Sequence, residues 1–204
     1  MAQICSPGAQ FTADQRIAIV HEARQAQACT LCTARKAALS PNAVQGGHHT
    51  VSALPDLVID LVHRMCTDPS RISKPWFDQA IAAGLTPSAY VEVVVVAVSV
   101  IIDTFNASLG LPLPPLLDPV SGEPHGELNA EAIDDGAWVP ILVRERDDMA
   151  NIVRALGLVP QEWANFWLVF RKHYRTRDGL TAEISRPQQE LVTSRISALN
   201  QCFY

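Results

Sequence analysis

From Thr86 to Leu109 the chain reads TPSAYVEVVVVAVSVIIDTFNASL, with no turn signal anywhere inside it. Val91, Val93 to Val96, Val98, Val100, Ile101 and Ile102 are strand formers by propensity. A single strand of that length would far exceed the usual strand of a globular protein. Thr86 and Pro87 open the stretch in the style of a helix N-cap and first helical position, and Gly110 follows its end. Length therefore decides for a buried helix. A helix that is apolar nearly all round belongs at the centre of a bundle or at a subunit contact. The expected fold class is all-α.

The rest of the chain supplies helices to surround it. Phe11 to Ser40 reads as one long helix: Thr12 and Gln15 make a capping-box pattern, and Pro41 follows the end. Asn42 to Thr50, with Gly46, Gly47, His48 and His49 in a row, reads as a loop. Leu57 to Cys66 is a short helix turning Leu57, Leu61 and Met65 inward, and Ser73 to Ala83 is another, stopped at Gly84. Leu111 to Asp135 is acidic and rich in proline and glycine, the expected boundary. It divides the chain into 1–118, a linker at 119–136, and 137–204. Beyond it, Ala137 to Val143 reads as a short buried segment, and Asp147 to Leu158 and Pro160 to Tyr174 read as helices. The second of these carries Trp163, Phe166, Trp167 and Phe170, a core cluster by its spacing. A polar connector leads to Ser185 to Tyr204, an amphipathic helix with Val192, Ile196, Leu199 and Phe203 on one stripe expected to face a core.

Charge and motifs exclude several functions. The net charge is −5, and no cluster of Lys and Arg contradicts it, so no nucleic-acid partner is expected. The N-terminus lacks the basic and apolar regions of a signal peptide. The most apolar run, Tyr90 to Phe105, reads as too short for a membrane span and carries Glu92 and Asp103. A cytoplasmic location with no membrane partner is the expectation. There is no phosphate-binding glycine loop, no G-x-S-x-G and no dinucleotide fingerprint, so no cofactor is expected.

Five cysteines in a chain without an export signal favour redox chemistry or a metal over a disulfide framework. Cys29 and Cys32, three apart on a helix, face the same way. One can attack a peroxide as thiolate, and the other can resolve the sulfenic acid as a disulfide. Zinc would need two further ligands; Cys66 with His48 or His49 is one combination, but no second paired motif accompanies it, so no metal is expected. On a continuous helix Glu22, Cys29, Cys32 and Lys36 would share a stripe, with Lys36 favouring a thiolate on Cys32 and Glu22 opposing one on Cys29. His48 and His49 read as solvated loop residues within reach of serving the pair as a base. His63, beside Arg64 on an apolar-faced helix, reads as a hydrogen-bonded or half-buried histidine, and Cys5 and Cys66 as bystanders.

Near the C-terminus Glu190 precedes Cys202 by twelve positions, within SRPQQELVTSRISALNQCFY. This stretch resembles the core motif of the AhpD-like family of alkylhydroperoxidases and carboxymuconolactone decarboxylases: a Glu, eleven residues, Cys-x-x-Cys, three residues, His. The text LPDLVIDLVHRMCTDPSRISKPWFDQAIAAGL resembles the second half of such a core. The whole chain is most similar to the two-core (seleno)protein group of that family. The resemblance implies a bundle of about nine helices in two cores, one diverged and one cut short within its motif. It implies thiol peroxidase or disulfide-exchange activity at Cys202, Glu190, Cys29 and Cys32. The partners would be a peroxide or disulfide substrate, an external dithiol reductant and further copies of the chain. It also implies that the native protein continues past Tyr204, with selenocysteine next. In the first core the family's Glu and His positions hold Ile17 and Lys36, so that core's relay is expected to be missing. Two other readings remain open: a non-catalytic, oligomerising helical protein, and a decarboxylase-like enzyme, which two cysteine motifs argue against.

Overall fold

The computed structural model describes residues 3–143, 145, 151–173 and 184–199. Among these residues it is all-α: nine α-helices, and no strand beyond one isolated antiparallel bridge between Ile133 and Ile141. The helices are α1 (Ala13–Gln25), α2 (Thr30–Ala37), α3 (Asp56–Thr67), α4 (Lys74–Ala82), α5 (Pro87–Ser99), α6 (Ile101–Ser108), α7 (Asn151–Arg154), α8 (Pro160–His173) and α9 (Arg186–Leu199). The sequence caps form as expected. Thr12 and Gln15 make both bonds of a capping box on α1, Ser73 accepts from the Trp76 amide on α4, and Thr86 accepts from Ala89 on α5.

The valine run is helical, and most of its valines are buried among apolar neighbours. Helices α1, α3 and α5 pack on one another, burying Ile19, Val20, Leu61, Val62, Val91, Val93 and Val96. Each such side chain contributes on the order of 2 kcal/mol by leaving water, which outweighs the tenths of a kcal/mol that β-branching costs a helix.

Four expectations are corrected. The helix foreseen from Phe11 to Ser40 is two helices: a 3-10 turn at Ala26–Ala28 follows α1, and Cys29, with extended backbone, caps α2. The valine helix pauses at Val100, beside Ser99, whose hydroxyl bonds back to the Val95 carbonyl at 2.7 Å. Taken together, Pro87–Ser108 is long and apolar enough to cross a membrane by length and composition, contrary to the reading of its core as too short. Here 56% of its most apolar window is buried inside the bundle, and Glu92 and Asp103 are paired with Arg16 and Arg24. Finally, Val192, Ile196 and Leu199 on α9 are exposed among the described residues rather than turned to a core. Of the helix foreseen from Asp147, the described part is α7.

The proline-rich segment lies against the N-terminal segment. The amides of Val120, His125 and Gly126 donate to the carbonyls of Cys5, Gly8 and Ala9 at 2.8, 2.9 and 3.0 Å. Beyond it, Val139, Leu158 and Val159 join the same hydrophobic cluster as Ile19 and Val93. A buried ion triad ties the two parts: Arg16 on α1 bonds Glu92 on α5 and Glu162 on α8, the latter at 2.8 Å, with all three side chains at most 1% exposed. Glycine is required next to it. A Cβ at Gly8 would stand 1.9 Å from a Glu92 oxygen and 2.3 Å from an Arg16 nitrogen.

Candidate functional site

The break between α1 and α2 positions Cys29. Had the helix run on, its sulfur would have projected from a helix side. As N-cap it lies over the first turn of α2, where backbone N–H groups have no partner within the helix. The His49 amide donates to Cys29 Sγ at 3.5 Å. Cys32 follows one turn later, and both residues are buried with Leu31 in a small cluster of their own.

Two histidines from separate segments meet this pair. His48 comes from the glycine-rich loop, and its Nδ1 stands 3.6 Å from Cys29 Sγ and 3.6 Å from Cys32 Sγ. His63 comes from the buried face of α3, with Nδ1 3.3 Å from Cys32 Sγ. The rings lie 4.3 Å apart. Behind each ring is a carboxylate. His48 Nε2 is 2.8 Å from Asp60 Oδ1, and His63 Nε2 is 3.1 Å from Glu22 Oε2. Both carboxylates are held. Glu22 Oε1 accepts from the Thr50 hydroxyl, the Val51 amide and the Ser52 hydroxyl at 2.6, 2.9 and 2.6 Å. Asp60 accepts from Arg35, from Arg64 Nε at 2.8 Å and from the Trp76 indole at 3.0 Å.

The electrostatics follow from these bonds. Burial alone would raise the Cys29 thiol, but the backbone N–H groups of Cys32 and His49 and the His48 ring bring it down to about 6. Cys32 is lowered against burial by bonds from His48 and His63. Burial works against charge on His48, yet Asp60 and the two sulfurs raise it to about 10, so the ring is a cation at neutral pH. Glu22 is driven up by burial and down, to about 2, by Ser52, Thr50, His63 and the Val51 amide. The result is a pair of acidic thiols facing an imidazolium. Cys66 shows the contrast: burial, with Cys32 nearby, pushes its thiol up to about 12.

Of the residues singled out in sequence, Cys29 and Cys32 come together, with sulfurs no more than 4.8 Å apart. Lys36 is exposed, since the broken helix dissolves the stripe it would have shared with Glu22. Glu22 does not oppose Cys29 but accepts from His63. His48, read as solvated, is only 10% exposed in its side chain, whereas His49 is exposed. His63, read as hydrogen-bonded or half-buried, is fully buried with both ring nitrogens in contact with partners. Cys66 and Cys5 lie outside the cluster, as does Glu190, which is exposed on α9. Cys202 lies outside the described residues. Asp60 was not foreseen, because nothing in its spacing to the cysteines marks it. Four groups here, the two sulfurs and the two Nδ1 atoms, are disposed to hold a metal ion, and they differ from the set containing Cys66 or His49. Searches against family models, curated proteins and solved structures gave no match.

Proposed function

We propose that this chain is a thiol peroxidase or disulfide exchanger of AhpD-like type, working through Cys29 and Cys32 in a reducing, cytoplasmic setting. The observation that carries this reading is the chain of contacts Glu22–His63–Cys32, with His48 between the two sulfurs. Cys32 is the attacking residue, because both histidines meet its sulfur and Glu22 backs one of them. Its thiolate attacks the terminal oxygen of a hydroperoxide, the O–O bond breaks, and the leaving alkoxide takes a proton from the His48 cation. Cys29 then attacks the sulfur of the Cys32 sulfenic acid. The S–O bond breaks, and hydroxide leaves as water with a proton supplied through His63. An external dithiol resets the disulfide by two exchange steps. The reading does not need Cys202.

The test is hydroperoxide added to the reduced protein. The thiols of Cys29 and Cys32 should be lost together, with a disulfide between them found by mass spectrometry. Cys32→Ser should abolish the reaction, and Cys29→Ser should stop it at a sulfenic acid trappable by dimedone. Persistence of both thiols would reject the reading in favour of a non-catalytic helical protein.

A further inference from the structure

We propose that Cys29, Cys32, His48 and His63 form a tetrahedral binding site for a zinc ion. Three observations carry it. First, the four donor atoms lie within 4.8 Å of one another. Zn–S bonds of about 2.3 Å and Zn–N bonds of about 2.0–2.1 Å set about 3.5–3.6 Å for the S···N edge of a tetrahedron. Three of the four S···N edges here are 3.6, 3.6 and 3.3 Å, and the fourth, Cys29 to His63, lies within 4.8 Å. Second, both imidazoles point Nδ1 inward and Nε2 at a carboxylate, His48 at Asp60 and His63 at Glu22. A carboxylate accepting from Nε2–H keeps the proton on that nitrogen, so the proton a metal displaces from the His48 cation is the one on Nδ1. Third, the donors are two thiolates and two imidazoles with no carboxylate aimed at the centre, a set that suits zinc rather than magnesium or calcium.

The site goes beyond the redox reading and constrains it. The thiolates cannot hold zinc and form a disulfide at once. With a hydroperoxide as oxidant, the zinc-bound thiolate pair, one hydroperoxide and two protons give the disulfide, an alcohol, water and free zinc. That step, unlike the site itself, rests on the redox reading.

The experiment uses the full chain, reduced and stripped of metal, titrated with cobalt(II) and then zinc(II). The expected result is one cobalt per chain, with the thiolate charge-transfer and intense ligand-field bands of a tetrahedral sulfur site, displaced by one equivalent of zinc. Asp60→Asn, which leaves every ligand in place, should weaken zinc binding by about tenfold to a hundredfold, and His48→Ala should remove the tetrahedral spectrum. An octahedral cobalt spectrum, no saturable binding, or binding indifferent to His48→Ala overturns the site. Hydroperoxide is then added to the zinc-loaded protein with a chromogenic chelator. Zinc bound but never released supports the site and rejects the redox reading. A disulfide formed by a protein that binds no zinc does the reverse.

Discussion

His63 and Glu22, 41 residues apart in sequence, meet through a 3.1 Å contact in which neither side chain is exposed. Glu22 is ionised there because a full set of donors surrounds it, not because water does. Its carboxyl is brought from an ordinary 4.5 to about 2, so the folded state favours the charged form. That stability is complete above the unfolded value and is lost as pH falls towards 2. It amounts to on the order of 3 kcal/mol. Chemical denaturation at a series of pH values should show stability falling between about pH 4.5 and 2. Glu22→Gln should be less stable at neutral pH and flatter across that window. An unchanged acid limb in the variant would refute the assignment.

The Cys29 thiolate should be visible without any substrate. Followed by ultraviolet thiolate absorbance in metal-free protein, part of the signal should persist well below the ordinary cysteine range and disappear as pH falls through about 6. Cys29→Ser should delete that component. His48→Ala should move it upward, because the ring is among the groups that lower the thiol. Cys66 should stay silent until about pH 12. A single transition near the ordinary thiol value in every variant would contradict the geometry.

The buried triad predicts an asymmetry among its members. Arg16 faces two carboxylates, and burial raises Glu92 against the pull of Arg16. Glu92→Gln keeps the shape and removes a surplus negative charge, so it should cost little. Arg16→Met leaves two buried carboxylates without their cation and should cost about 3–5 kcal/mol. Gly8→Ala drives a methyl group into the Glu92 and Arg16 side chains and should cost at least about 1–3 kcal/mol. Urea midpoints rank the three; Glu92→Gln as the worst would contradict this account.

Helix α6 suggests where copies of the chain would meet. Ile101, Ile102 and Phe105 on it and Leu109 at its C-cap are 49–58% exposed, and Leu111 and Leu113 just after it are exposed too. We expect a homo-oligomer in sedimentation equilibrium, and Phe105→Glu with Ile102→Glu should dissociate it while the helical circular dichroism is kept. A wild-type monomer at high concentration would remove this expectation.

Sequence made the helices legible wherever local rules and burial agreed. Thr12, Ser73 and Thr86 cap as their residue types require, and the valine run is helical because its length left no other answer. The break at Ala26–Ala28 was hidden, because alanine and glutamine are good helix formers and nothing local ends the helix there. The cysteine pair was legible as a motif. His48 was legible only as one option for a base beside His49, and His63 was not, since it reaches the pair from another helix and spacing along the chain carries no record of that approach. The charges of the triad were equally opaque: Glu92 reads as a flaw in an apolar run until Arg16 and Glu162 are seen around it.

The two buried polar centres differ in when a growing chain can build them. Every residue of the cysteine cluster and its carboxylates falls between Glu22 and His63, so its parts leave the ribosome close together. Arg16 must wait for Glu162, 146 residues behind it, before its second carboxylate exists. During synthesis the thiols can therefore meet metal or oxidant while the bundle around them is still open. A metal or oxidant that reached Cys29 and Cys32 at that stage would meet them before Glu162 closes over Arg16.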